Sequence, residues 1–289
     1  MQTKRVYFID GKFKNTPISN IEDRGLFFAD SIYEVIRALH GVPIFLEEHL
    51  ERLFSGLREL KIQSPYTKEE YRDIIEKSLK KLKASDALVY IQVTRGKEPR
   101  SHLPRKNTKP TVIIISSKYR PLSPKLKKNG VSLILYPDVR WGRCDIKTTM
   151  LLPNVLAKIE ARERGFFDAV FFKNGYLTES TSSSFFAVIG GKIFTHPLTH
   201  DILPSITRQA VIKICKELGI QVIEDPIKIE SIKDLDGAFL AGTTYDILPI
   251  NAIEDIKIPL SAITTKIQWE YERFLLKQTE IHINRKAKH

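Results

Sequence analysis

Cysteine is nearly absent from this chain: two residues, Cys144 and Cys215, in 289. They lie in different segments and form no metal-spaced pair, so no metal is expected; a disulfide between them is possible but unnecessary, and a reducing cytoplasm is the simpler setting. No apolar run approaches the length of a membrane span, and no N-terminal stretch has the basic, apolar, small-residue order of a secretory leader. Methionine and tryptophan occur twice each, and no internal repeat is visible. A membrane protein and a disulfide scaffold are thereby excluded.

What remains is a basic composition with room for sizeable cores. Hydrophobic residues make up 42% of the chain, and the length fits two compact domains or one large one. Lysine and arginine number 46 against 34 acids, a net charge of +12, which raises the possibility of nucleic-acid binding. The lysines argue against it, because they are scattered along helix-like stretches such as 68–83 and usually alternate with glutamates. Only residues 284–289 form a basic cluster. Attraction of small anionic substrates fits the charge equally well, with neither nucleic acid nor membrane as partner.

Alternation and turn signals predict hairpins at 6–12, turning at Asp10-Gly11, and at 32–46, turning at His40-Gly41. Helical spacing marks 47–62, and a Thr67–Glu70 capping box opens a helix to about 83. Strands are expected at 87–94 and 111–116. Between them, residues 95–110 form a polar loop with three prolines, long enough to suggest function. A smaller N-terminal domain over 1–118, a Pro- and Lys-rich linker over 119–130 and a larger C-terminal domain over 131–289 follow. The C-terminal part reads as a strand at 131–136, a helix at 151–164 stopped by Gly165, hairpins at 167–179 and 184–196, and a helix at about 204–218. Strands near 222 and 238 and a helix at about 260–278 complete it. Strands and helices mix without strict alternation, so the fold class is α+β.

The chemistry centres on residues 140–184. Lys147 lies between Ile146 and the apolar run Met150-Leu151-Leu152, where a cation is poorly solvated, and desolvation is how nucleophilic lysines are prepared. Glu179 ends a strand and opens a run of hydroxyl residues. It either caps local backbone or pairs with a protonated heterocycle, as pyridoxal phosphate requires. Ser205, Ile206 and Thr207 open a helix, whose free N–H groups and dipole suit a phosphate. Thr243 and Thr244 follow a strand and add hydroxyls. Arg52 lies off the apolar stripe of its helix, as a solvated arginine or a phosphate fork. Arg100 and His102 belong either to an ordinary basic loop or to a carboxylate site, and Tyr33 is a core aromatic or a site residue.

The strings EDRGLFFADSIYEV, EEHLERL, YIQVTRG, PRSH, VRWGRCDIKTTMLL, VLAKIEA, LTESTSSS and ILPSITR, in this order, resemble the class IV (fold-type IV) pyridoxal-phosphate aminotransferases along nearly the whole chain. The resemblance implies a smaller N-terminal α/β domain and a larger cofactor-binding domain with a mixed sheet or pseudo-barrel. It implies pyridoxal 5′-phosphate held by Lys147 as a Schiff base, Glu179 on the ring nitrogen and Leu203 behind the ring. Arg52, Ile206, Thr207 and Thr244, with Thr243 as a further hydroxyl, would then cradle the phosphate. Tyr33, Arg100 and His102 match the trio that traps the substrate carboxylate in the branch acting on D-amino acids such as D-alanine, with 2-oxoglutarate or pyruvate as acceptor. A homodimer is implied. Branched-chain and (R)-amine aminotransferases and aminodeoxychorismate lyases are the alternatives on the same fold. The chain departs from the family where Ser180 replaces a glycine and Ser184 stands in place of an asparagine.

Overall fold

The computed structural model describes residues 4–14 and 21–286, with side chains as far as residue 281. The basic cluster at 284–289 therefore lies outside the described side chains. The chain divides into two compact units, one comprising Met1–Arg120, Ile146–Met150 and Leu275–His289, the other Pro121–Asp145 and Leu151–Phe274.

The first unit contains β1 (Arg5–Ile9), β2 (Lys12–Lys14), α1 (Arg24–Phe28), β3 (Ser31–Leu39), β4 (Val42–Pro43), α2 (Leu46–Glu59), α3 (Lys68–Leu82), β5 (Ala87–Thr94) and β6 (Thr111–Lys118). Its strands form one six-stranded sheet in the order β2–β1–β6–β5–β3–β4, antiparallel throughout. Both hairpin turns take left-handed backbone at each central residue, Asp10 and Gly11 (φ 47° and 83°) and His40 and Gly41 (51° and 76°). That conformation matches the twist of the flanking strands. The capping box is present at α3, where Thr67 Oγ1 accepts the Glu70 N–H and Glu70 Oε2 accepts that of Thr67. Alternation along β3 buries Ile32, Ile36 and Ala38 completely, and Glu34 shares their phase and their burial.

The second unit contains α4 (Pro124–Asn129), β7 (Val131–Pro137), α5 (Leu152–Glu163), β8 (Asp168–Lys173), β9 (Tyr176–Ser180), β10 (Ser184–Ile189) and β11 (Lys192–Thr195). These are followed by α6 (Ile206–Glu217), β12 (Val222–Glu224), a 3-10 turn at Ile229–Asp234, β13 (Gly237–Gly242), β14 (Asp246–Ile253), β15 (Ile256–Lys257) and α7 (Ala262–Lys286). The sheet order is β12–β11–β10–β13–β14–β7–β8–β9, and β9 returns to pair with β10. Six strands thus close into a barrel-like ring, whose core holds Leu133, Val170, Leu240, Leu248 and Ile250. The closing pair is Glu179 opposite Ser184.

The structure departs from the sequence reading at four places. The stretch taken as a linker carries α4, because Ser123 caps it and Pro124 begins it with φ already helical. Residues 146–150, expected in the C-terminal domain with Lys147, group instead with the first unit. The reason is backbone pairing: the Tyr33 N–H donates to Lys147 O at 3.0 Å, and Ile32 bridges Thr148. The last residues of α7 also group with the first unit. Strand β14 was not foreseen, since Pro249 argues against a central strand. It is accommodated because pairing with β7 starts only at Ile250, with a register shift before Ala252. Among the described residues no helix is long and apolar enough to cross a membrane.

Candidate active site

Lys147 is half-buried, and its ammonium lies 4.4 Å from the centroid of the Tyr33 ring. Tyr33 in turn stacks on Tyr90, with centroids 5.8 Å apart. The neighbouring strand residue on this face, Ser31, shares a 2.6 Å hydrogen bond with Thr149. The lysine segment is therefore fixed beside β3 by backbone and side chain alike, while Lys147 forms no salt bridge among the described residues. A cation held on an aromatic face and left without a counter-ion is available for chemistry.

The opposite phase of β3 carries Glu34, which faces α2. The Arg52 guanidinium forks onto it, Nε to Oε1 at 2.7 Å and Nη2 to Oε2 at 2.8 Å, and the His49 ring donates from Nδ1 to Oε2 at 2.7 Å. Burial alone would raise the Glu34 carboxyl, but the Arg52 charge, both hydrogen bonds and His49 hold it well below the usual carboxylate range. Burial also lowers His49, with the Arg52 charge adding to it and Glu34 opposing. Arg52 is thus neither solvated nor loose: its fork is aimed by a buried acid. Glu34 and His49 were missed in the sequence, although an acid in the apolar phase of a strand was the available signal.

The loop after β5 brings Arg100 and His102 to one ring. The Arg100 guanidinium sits 5.2 Å from the Phe28 centroid, and the His102 ring 5.5 Å from it. Neither side chain has an acidic partner among the described residues.

In the second unit Glu179 is 5% exposed. Arg140 Nη1 donates to its Oε1 at 2.5 Å, and the Leu203 N–H reaches both oxygens at 3.3 Å. Arg140 is itself held by Asp138, Nε to Oδ1 at 2.9 Å and Nη2 to Oδ2 at 2.7 Å, and lies over the Phe171 ring. Burial raises the Glu179 carboxyl above its ordinary value even though Arg140 and Leu203 oppose it. Its surroundings therefore supply less positive charge than the carboxylate needs. Sequence reading missed Arg140 and Asp138; their signal was a D-x-R pair opening the same stretch.

The remaining residues frame the same end of the barrel-like sheet. Ser205 caps α6 by accepting the Arg208 N–H, which leaves Ile206 and Thr207 in the first turn, both buried. Thr243 and Thr244 form the turn after β13, and a side chain at Gly242 would press within 3.1 Å of Ser183. Ser180, in place of the family glycine, donates its hydroxyl to Ala169 O at 2.8 Å. Ser183 and Ser184 have buried hydroxyls without a hydrogen-bond partner. An under-neutralised carboxylate, two orphaned hydroxyls and a helix N-terminus are the donor set that a phosphorylated, protonated heterocycle satisfies. The residues fit pyridoxal phosphate.

Comparison with known proteins agrees. A model of the class IV amino-transferase family matches residues 31–253. A D-alanine aminotransferase of Bacillus licheniformis is 34% identical over 263 residues, covering 90% of this chain and 93% of that protein. The branched-chain aminotransferase of the archaeon Thermoproteus uzoniensis, solved with norvaline, superposes with a TM-score of 0.87 at 26% identity, covering 96% of this chain and 97% of that one. The Escherichia coli branched-chain amino acid aminotransferase has the same fold, with a TM-score of 0.86 at 23% identity over 94% of each chain. The chain belongs to the class IV, fold-type IV aminotransferases, a pyridoxal-phosphate-dependent family.

Proposed function

We propose that this protein moves the amino group of a D-amino acid, with D-alanine as the representative donor, to a 2-oxo acid such as 2-oxoglutarate or pyruvate. The observation that carries this reading is the pair Arg100 and His102, two side chains gathered on Phe28 with no acid among the described residues to balance them. Such a pair suits a carboxylate, Arg100 as a fork and His102 beside it. The resemblance to D-alanine aminotransferases supports it.

When bound, pyridoxal phosphate supplies an aldehyde that takes up amines and a pyridinium ring that withdraws electrons. Glu179, held in place by Arg140 and the Leu203 N–H, would accept the N–H of the ring nitrogen, with Leu203 packed behind the ring. The N–H groups of Ile206 and Thr207, the hydroxyls of Thr243 and Thr244, and Arg52 would hold the phosphate. Lys147 Nζ is the amine that would hold the cofactor, and as a free amine it would take the substrate α-proton and return it. Tyr33, Arg100 and His102 fix the carboxylate and with it the face of the α-carbon presented to Lys147.

A homodimer working in the cytoplasm completes the proposal. The outer face of α5 carries Leu152, Val155, Leu156 and Ile159, each 46–68% exposed, at the spacing of one helical stripe. A stripe of this kind suits a second copy. Both cysteines are free.

The purified protein should be yellow, and D-alanine should bleach its visible absorbance, whereas Lys147→Ala should show no such response. A colourless protein that cannot be reconstituted with pyridoxal phosphate would sink the proposal. A branched-chain reading is favoured by one observation, the likeness to the structures named above, and turnover of L-leucine but not D-alanine would establish it.

A further inference from the structure

Arg24 opens α1, yet it is 4% exposed. Every edge of its guanidinium is engaged. Nε donates to Asp30 Oδ2 at 2.9 Å, Nη1 to Glu98 Oε1 at 2.8 Å and to Ser101 O at 2.5 Å, and Nη2 to His102 O at 3.1 Å. The plane also lies over the Phe28 ring, 4.8 Å from its centroid. Two of the four acceptors are main-chain carbonyls of the residues directly after Arg100.

The second oxygen of Glu98 accepts the Arg105 N–H at 3.0 Å and the Thr108 hydroxyl at 2.6 Å, so one buried carboxylate joins the two arms of the loop. Asp30 is forked in addition by Arg95. Charge in this cluster closes on itself, with Arg24 and Arg95 set against Asp30 and Glu98. Arg100 and His102 have no acidic partner among the described residues, and both lie against the Phe28 ring that Arg24 also contacts.

We propose that Arg24 is a positioning residue for substrate carboxylate recognition, fastening the loop through Glu98, Ser101 O and His102 O so that Arg100 and His102 arrive together at Phe28. This rests on the reading above that those two side chains hold the carboxylate. Arginine is required because a planar fork reaches acid and carbonyl acceptors in several directions at once, whereas a lysine ammonium satisfies one direction only. Arg24 touches no substrate; it acts through the loop.

Arg24→Lys keeps the buried charge and loses the fork. In the holoenzyme it should raise the KM for D-alanine and the calorimetric dissociation constant of propionate, an unreactive carboxylate, by about tenfold or more, the scale on which a small misplacement acts. Its kcat and its affinity for pyridoxal phosphate should stay within about twofold, a split that general loosening of the fold does not produce. Glu98→Gln should move the same two constants in the same direction, and it decides the matter if Arg24→Lys does not fold. Unchanged propionate binding and KM in the folded variants would overturn the proposal. Arg100→Ala separates the two levels. If it too leaves propionate binding unchanged, the carboxylate reading itself fails; if it weakens binding while Arg24→Lys does not, only the role of Arg24 fails.

Discussion

Single residues in this protein are set by who neutralises whom. Glu34 and Glu179 are both buried acids, but their surroundings push them in opposite directions. Arg52 and His49 overcome burial at Glu34 and hold its carboxyl down. Its contribution to stability is present above the ordinary carboxylate value of 4.5 and is lost as pH falls below that value. At Glu179 burial wins over Arg140 and the carboxyl is raised. Its contribution is therefore present below 4.5 and is lost as pH rises through the raised value. Glu179→Gln removes that loss. Apoprotein carrying it should gain thermal stability relative to the parent as pH goes from 4 to 7, while its affinity for pyridoxal phosphate falls by about tenfold or more, one missing charge-assisted bond. Melting curves across that range check both signs; a variant less stable than the parent at pH 7 means the Arg140 pair outweighs burial.

At the scale of elements, the site depends on backbone devices more than on long-range packing. Gly96 shows this at the base of the loop that carries Arg100 and His102. It takes φ +114°, and a Cβ there would lie 1.9 Å from Lys109 O, while its own carbonyl accepts the Arg24 N–H at 2.9 Å. Gly96→Ala should cost about 1–3 kcal/mol of stability and raise the KM for D-alanine by about tenfold, measured by melting and by steady-state kinetics. A variant with parental KM would show that the loop base does not set the carboxylate pair. Much at this scale was legible in the sequence: the Asp10-Gly11 and His40-Gly41 turns, the Thr67 capping box and strand 87–94 all occur where residue chemistry places them. Strand β14 was not legible, because Pro249 signals a break and only its neighbours' register absorbs it. Helix α1 escaped notice because five residues, Arg24–Phe28, are too few to show a period.

For the whole molecule, periodicity could not assign Lys147 to a unit. A four-residue pairing beside β3 is a tertiary event, carried by Tyr33 N and Lys147 O, and nothing in the local sequence encodes its partner. The ion clusters that aim the site, Glu34 with Arg52 and Asp138 with Arg140, were equally hidden, since sequence shows charges but not who meets them. The apolar spacing of the α5 stripe is written in the sequence, but its exposure appears only in the fold. Leu156→Glu should place a charge in it and convert a dimer into monomers on sedimentation, and a variant that sediments with the parent would remove α5 from the interface. The direct test of the central claim is the ratio of kcat/KM for D-alanine over L-leucine, each with 2-oxoglutarate. A ratio far above one, collapsing in Arg100→Ala, is the expected result; a ratio below one would contradict it.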